Sequence, residues 1–563
     1  MKYIYTRKWL LVILPLFYCI LSFIFLDGLN QFYICNSDPT YVYLFNCTNI
    51  ASGHFRSGNI VHPGTPVEIF AGLAIFIKHL FTHSTVLYQD VLMNPESYLY
   101  TCSVLFSLLL SYAIYFSGSY VYRYTGSLGQ SILFQIAPLV YPEFVWRTVS
   151  LGAESALGIC GIFFAAYLYV STQLPNKEPR NRDIVILGLL TALWFTTKIY
   201  TLAVGVLVLF LLKNNKQRLL YIIFAGLFSF VFLFPLYNQF KNWLGFIKAE
   251  AFHNGPYGQG DAEKFNAALY WNNITTIFKG QYILSTIYMI AILVFSQNVL
   301  HNLKYKKSFK EYINPITGIV IFLVLFMGII SKQYIVNCLN PLTNKIITLT
   351  KYYYFIPVIV FFPLVIMILY KNNMSVIKQK FISHHKLKLV LGILGIFLAI
   401  SIPYTVKACY DADKNNVAFQ KTRSFIEKQN GLPLIFISDG GQQVYIQPAL
   451  FIGSYYSGKW DMQQYLDYLK KLYPDTYIYS IGWKDALTFW NNDVTITDIL
   501  NKYGQAMVYI SGADSLEEQV TLKRICKVDK GNNPVSYQKI YTSDNLYEDI
   551  YLVQYDKYHY IRP

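Results

Sequence analysis

The strongest constraint on this chain is a series of long apolar runs. They fall at residues 9–26, 98–117, 128–141, 151–170, 184–197, 199–212, 219–236, 282–300, 313–330, 353–370 and 387–405. Several approach the roughly 20 residues with which an α-helix crosses a bilayer. In hydrocarbon the backbone finds no water to bond, so such runs are stable there as helices. A soluble core does not account for them, because 54% of the 563 residues are hydrophobic and 14% are charged. The chain reads as a polytopic α-helical membrane protein with about eleven transmembrane helices.

The net charge of +16 lies mostly in short segments between these runs. The clusters are Lys177/Arg180/Arg182, Lys213/Lys216/Arg218, Lys304/Lys306/Lys307/Lys310 and Lys371/Lys378/Lys380/Lys386. The positive-inside rule explains this placement, and no nucleic-acid partner is expected. The basic start (Lys2, Arg7, Lys8) precedes 9–26 without a small-x-small cleavage site, which predicts an uncleaved first span. Threading the basic segments inside puts a large first loop, 27–97, on the outer face. Further outer segments are 141–147, 237–281 and 331–352. The threading requires 184–212 to cross twice, with a break at Thr196-Thr197-Lys198 that brings Lys198 to the outer surface. The half-runs, about 14 residues each, must tilt or extend into polar flanks. The run 66–81 would spoil the alternation if it crossed. It is expected as an interfacial helix, with Lys78, His79 and His83 toward the headgroups.

From about residue 406 the composition turns polar. Short β-like runs, Leu434-Ile435-Phe436-Ile437 and Ala506-Met507-Val508-Tyr509-Ile510, flank a helical pattern at 462–472. The expected organisation is a transmembrane domain, 1–405, and a soluble α/β domain, 406–563. Alternation places the second outside, which in a bacterium is the periplasmic side of the inner membrane. Cys35 and Cys47 share the first outer loop, and a disulfide between them is open if that side is oxidising.

The outer segments hold the candidate chemistry. Asp38, in Cys35-Asn36-Ser37-Asp38-Pro39-Thr40, is read as a loop carboxylate able to take a proton from an incoming hydroxyl. The same segment carries His54, Arg56, His62 and Glu68. Arg147 and Glu154 flank the start of a span. His253 and Tyr257 stand in His253-Asn254-Gly255-Pro256-Tyr257-Gly258-Gln259-Gly260. Lys351 opens Lys351-Tyr352-Tyr353-Tyr354-Phe355-Ile356-Pro357. Each has a plainer reading. Asp38-Pro39 also starts a turn, Lys198 also reads as a snorkelling anchor, and Arg147 as a structural partner of Glu143 or Glu154. The spacing of Asp38, His54 and His62 matches no standard zinc pattern, so no metal site is assigned.

The order of these elements resembles the GT-C class of membrane glycosyltransferases. That class includes the protein O-mannosyltransferases and the lipid A aminoarabinose transferase, of glycosyltransferase family 39 type. The matching pattern is an acid in the first outer loop (Asp38), then His62-Pro63-Gly64-Thr65-Pro66 opening a surface helix. It continues with Gly188-Leu189 through Thr197-Lys198, the glycine-rich run at 253–260 and the Lys351 segment. Relatives often carry Asp-Glu where this chain has Asp38-Pro39, so the second acid is missing. The resemblance covers roughly 1–405.

It implies a GT-C-like fold and transfer of a sugar, with inversion, from a polyprenyl-phosphate donor to a hydroxyl on a lipid, glycan or protein. Asp38 would be the general base. Arg147, Glu154, Lys198, His253, Tyr257 and Lys351 would bind the donor, and His62 and Glu68 would position the acceptor or its loop. Gly255, Gly258 and Gly260 would let a loop close over the donor. Membrane lipids are implied partners. No cofactor is certain, and a divalent cation at the leaving phosphate stays open. Two other readings compete. A flippase or transporter for lipid-linked glycans predicts buried charges and repeated halves, and the chain shows few of the first and no repeat. A non-catalytic assembly protein would tolerate loss of Asp38.

Overall fold

The computed structural model describes residues 8–28, 32–60, 64–82, 86–174, 178–253, 267–280, 282–305, 314–339, 346–350, 352–376, 385–429, 431–438, 445–457, 463–480, 486–511, 515–527, 535–545 and 548–555. The first helices are α1 (Leu10–Gly28), α2 (Phe32–Ala51), α3 (Thr65–His79), α4 (Leu87–Met93), α5 (Pro95–Thr125) and α6 (Leu128–Ile136). Next come the short α7 (Pro142–Thr148), then α8 (Ala153–Thr172), α9 (Asn181–Thr197), α10 (Leu202–Leu211), α11 (Asn215–Phe232) and α12 (Phe240–Phe252). They continue as α13 (Ala267–Gly280), α14 (Tyr282–Lys304), α15 (Pro315–Tyr334), α16 (Ile356–Val376) and α17 (His385–Lys428). A small hairpin, β1 (Ile335–Leu339) with β2 (Ile346–Thr350), stands between α15 and α16.

Among the described residues five helices are long and apolar enough to cross a membrane: Leu10–Gly28, Pro95–Thr125, Ala153–Thr172, Leu284–Lys304 and Tyr353–Tyr370. The pair Asn215–Phe232 and Phe234–Phe252, bent by 75°, raises the number to six if it is one span. Large side chains such as Phe230, Leu227 and Met289 stay uncovered on these helices, which suits a surface solvated by lipid. Inside, Trp194 of α9 is the central packing piece. Its ring meets Phe164 at 6.0 Å and Phe361 at 5.0 Å, and its Nε1 donates to the Leu157 carbonyl at 3.1 Å. Gly161 makes room for it, since a Cβ there would overlap the indole.

Two features differ from expectation, and a third closes a question that the sequence leaves open. Asp38 lies within helix α2 rather than on a loop. The cause lies just downstream, where Tyr41, Val42, Tyr43, Leu44 and Phe45 are all buried. Consecutive buried residues need a backbone that satisfies its own hydrogen bonds. Cys35 and Cys47 share that helix, so their Cα atoms stand about 18 Å apart at 1.5 Å per residue. A disulfide needs less than about 7 Å, and Cys47 is a buried free thiol. Finally, α3 forms where an interfacial helix is expected and leaves Phe70, Leu73, Phe76 and Ile77 exposed. Its basic end, however, turns back on the protein. Lys78 Nζ donates to the Ser97 carbonyl at 2.5 Å, and His79 Nδ1 pairs with Asp90 at 3.1 Å. His83 lies outside the described residues.

Helix α17 has 44 residues and continues without interruption through position 405. Beyond it lies a seven-stranded sheet in the order β6-β5-β4-β3-β7-β9-β8. Its strands are β3 (Leu434–Ser438), β4 (Thr476–Ser480), β5 (Ala486–Phe489), β6 (Asn492–Asp493), β7 (Gln505–Ser511), β8 (Val535–Thr542) and β9 (Glu548–Tyr555). The central three, β4, β3 and β7, are parallel, and the outer ones pair antiparallel. Helices α18 (Ile446–Ser457) and α19 (Gln463–Leu472) connect β3 to β4, α20 (Ile496–Tyr503) precedes β7, and α21 (Ser515–Lys527) follows it. Ile435, Tyr479 and Val508 face α20 and α21. Phe436, Met507 and Tyr509, on the other face, join the same apolar core as the membrane helices. Burial on both faces explains why these strands read as continuous apolar runs. Glu548 ties the sheet to α17, accepting from Thr422 at 2.7 Å and from Tyr509 at 2.8 Å.

Candidate functional site

Helix α7 ends at Arg147, and α8 opens with Glu154 in its first turn. The turn between them is braced from three sides. Ser155 Oγ donates to the Ser150 carbonyl at 2.5 Å. The hydroxyls of Tyr18 and Thr148 share a hydrogen bond of 2.9 Å. Thr40 Oγ1 donates to the Leu151 carbonyl at 3.1 Å. The last bond joins α2 to this turn on the Thr40 side of the helix, and position 38, two residues earlier, falls about 200° around the helix from Thr40. The middle of α2 is thereby fixed beside the turn that carries Arg147 and Glu154.

The break expected near Thr196-Thr197-Lys198 falls at Lys198, which is extended (φ −149°, ψ 127°) between α9 and a 3-10 turn, Ile199–Thr201. Lys198 is not at the surface, however; it is 3% exposed. The reason is Glu154, also buried, whose Oε1 accepts directly from Lys198 Nζ. A buried charge is tolerated when paired and bonded in this way.

Tyrosines complete the site. Lys198 Nζ lies 4.9 Å from the Tyr354 ring centre, 5.0 Å from Tyr353 and 5.7 Å from Tyr200. The Arg147 guanidinium carbon lies 4.7 Å from Tyr353. Ring faces are negative, so they hold both cations in place. The Arg147 Nε is buried and has no hydrogen-bond partner among the described residues. Among the described side chains two cations meet one carboxylate, with one donor unused. Such a site favours an anionic oxygen ligand.

Of the residues singled out in the sequence, Arg147, Glu154 and Lys198 come together here. Lys351, His62 and Tyr257 lie outside the described residues. Asp38 is placed by its backbone alone. His253 ends α12, its N–H bonded to the Ala249 carbonyl at 2.8 Å. Helix α12 leans by Trp243 on Phe195 and Ile199, the neighbours of the Lys198 break. Glu68 sits apart from the cations. It is fully buried, its Oε1 accepts from Ser57 Oγ at 2.9 Å, and burial pushes its carboxyl up to about 8 against the lowering effect of that bond. Ser57 N also bonds the Pro235 carbonyl at 3.0 Å, and its own carbonyl accepts from Gln239 at 3.0 Å. Glu68 thus anchors the segment that joins α2, α3 and the start of α12. Tyr353 and Tyr354 escaped the sequence reading as site residues, although the tyrosine run beside Lys351 was the available signal. Among the described residues, no group of three or more His, Cys, Asp or Glu could hold a metal ion.

No family model and no curated protein matches the chain. Among solved structures it is similar to the crystal structure of ArnT from Cupriavidus metallidurans bound to undecaprenyl phosphate. The identity is 10%, the TM-score 0.49, and the match covers 97% of this chain and 98% of that one.

Two outcomes test this geometry. Glu154→Gln strands the buried Lys198 charge and should cost about 3–5 kcal/mol of stability. Adding Lys198→Met should restore most of the unfolding midpoint, whereas purely additive losses would contradict the pair. Glu68 has a folded pKa raised from 4.5 to about 8. Its contribution is therefore complete below about 4.5 and lost as pH rises toward 8. The wild-type midpoint should fall across that window and the Glu68→Gln midpoint should not; equal slopes would contradict the assignment.

Proposed function

We propose that this chain is a glycosyltransferase of the GT-C kind, moving a sugar from a polyprenyl-phosphate donor to a hydroxyl acceptor at the outer, periplasmic face of a bacterial inner membrane. One observation carries the reading. Arg147 and Lys198 both lie over the ring of Tyr353, Lys198 is paired with Glu154, and a buried Arg147 donor is unused among the described residues. A sugar leaving a lipid phosphate generates negative charge on that phosphate, and preformed cations in a water-poor site stabilise it strongly. Lys351, two residues before Tyr353, belongs to the same rim in this reading. Glu154 fixes the Lys198 ammonium toward the phosphate.

The reaction needs a base on the opposite side of the anomeric carbon. Asp38 takes that role. The acceptor hydroxyl gives it a proton while the acceptor oxygen bonds the anomeric carbon, the bond to the phosphate oxygen breaks, and the configuration inverts. The Thr40–Leu151 bond sets α2, the helix that carries Asp38, beside the turn that joins Arg147 to Glu154. His253 and Tyr257, at and beyond the end of α12, are assigned to the donor. His62 is assigned to the acceptor, and Glu68 to holding the intervening segment. The 1–405 part is the catalytic unit in this scheme.

Arg147→Gln tests it. A charge-assisted hydrogen bond contributes about 1.5–3 kcal/mol, so the donor half-saturation should rise about 10- to 100-fold. Unchanged donor dependence in a folded variant would remove the phosphate role.

A further inference from the structure

The break that turns Lys198 inward turns a second polar side chain inward with it. Thr201 closes the 3-10 turn by bonding the Lys198 carbonyl twice, from its N–H at 3.1 Å and from its Oγ1 at 2.8 Å. Tyr200 stands inside that turn and is buried. Two edge-on contacts hold its ring, with Phe326 of α15 at 5.9 Å and with Tyr354 at 5.4 Å. Lys198 Nζ lies 5.7 Å from the ring centre. Glu154, Tyr353 and Tyr43 are within electrostatic reach of the hydroxyl. Tyr353 is thus a shared neighbour of Arg147, Lys198 and Tyr200.

The Tyr200 hydroxyl is buried and has no hydrogen-bond partner among the described residues. Other buried tyrosines find theirs within the chain. Tyr18 bonds Thr148 at 2.9 Å and Tyr221 bonds Thr191 at 2.8 Å. Tyr288 donates to the Leu323 carbonyl and Tyr465 to Asn49 Oδ1, both at 2.8 Å. A buried hydroxyl left unpaired costs stability and calls for a partner. Phenylalanine would make the same ring contacts without that cost, so packing accounts for the ring of Tyr200 and not for its hydroxyl. Glu154 is already engaged by Lys198. The other unpaired donor beside Tyr353 is Arg147 Nε. A tyrosine hydroxyl can donate or accept, whereas a guanidinium only donates. One ligand serving both therefore presents acceptor oxygens, as a phosphate does.

We propose that the Tyr200 hydroxyl donates a hydrogen bond to the same lipid phosphate that Arg147 binds. Arg147 Nε supplies a charged donor and Tyr200 a neutral one, and Tyr353 stands between the two. Negative charge grows on that phosphate as the sugar leaves, and a donor already fixed in a water-poor site stabilises it without rearrangement. This rests on the lipid-phosphate reading of the site and adds a residue that touches the phosphate.

The test uses the purified full-length chain and three probes: a polyprenyl phosphate, the matching polyprenol and inorganic phosphate. Affinity is read by calorimetry, and the unfolding midpoint is read without ligand. Tyr200→Phe should weaken polyprenyl phosphate about tenfold and leave polyprenol unchanged. Its ligand-free midpoint should equal or exceed that of wild type, because an unpaired buried hydroxyl has been removed. A hydroxyl with a structural role would lower that midpoint. Unchanged polyprenyl phosphate affinity, an equal loss for polyprenol, or a lowered ligand-free midpoint would overturn the inference. If Arg147→Gln still weakened the phosphate in that case, the lipid-phosphate reading would stand without Tyr200. Inorganic phosphate binding as tightly as the lipid would overturn the lipid as its source. Wild type that binds polyprenyl phosphate no better than polyprenol would sink the lipid-phosphate reading, and this inference with it.

Discussion

The buried pair of Lys198 and Glu154 is the constraint on which the rest of the site depends. A lysine inside a helical bundle is expensive, and the chain meets that expense with a carboxylate from a different helix. Satisfying it forces α9 to end at Lys198 and α8 to begin at Glu154 against it. That meeting point in turn fixes the turn 149–152, the place of Arg147, and the tyrosines that cover both cations. The result is a site in which, among the described side chains, two cations meet one carboxylate and the buried Arg147 Nε donor is unused.

A second junction, at Ser57 and Gly58, holds the surrounding pieces together. Four elements converge there: α2 through Asn46, α3 through Glu68, the approach to α12 through Pro235 and Gln239, and α18 through Ser457. Neither residue has a side chain large enough to stand out, and Gly58 serves by having none. The helix that carries Asp38 is consequently gripped between α3 on one side and the C-terminal helices on the other. The uninterrupted α17 and the Glu548–Thr422 bond make the sheet a continuation of the helical part rather than an appendage.

Much of this was legible in the sequence, and for physical reasons. The break at Lys198 followed from the cost of a lone charge in an apolar run. The strands at 434–438 and 505–511 followed from their short β-branched and aromatic runs. Arg147, Glu154 and Lys198 were each picked out by charge near the end of a span. Their direct pairing was not legible, because they are distant in sequence and a pairing between α8 and α9 is decided by packing. The tyrosine lining was hidden by abundance: among 50 tyrosines, Tyr353 and Tyr354 carry no local mark. Asp38 was misplaced on a loop because Asp-Pro is a strong turn signal, whereas the buried run Tyr41–Val42–Tyr43–Leu44–Phe45 outweighs it.

The central claim is that Asp38 is the base of a sugar transfer. It is tested most directly by mass profiles of glycolipids and surface glycans from cells carrying wild type, Asp38→Asn or a deletion of the chain. The account predicts that Asp38→Asn reaches normal membrane levels and lacks the same sugar that the deletion lacks. A wild-type profile in Asp38→Asn cells, with a change in the deletion alone, would contradict it and move the transporter or assembly reading ahead.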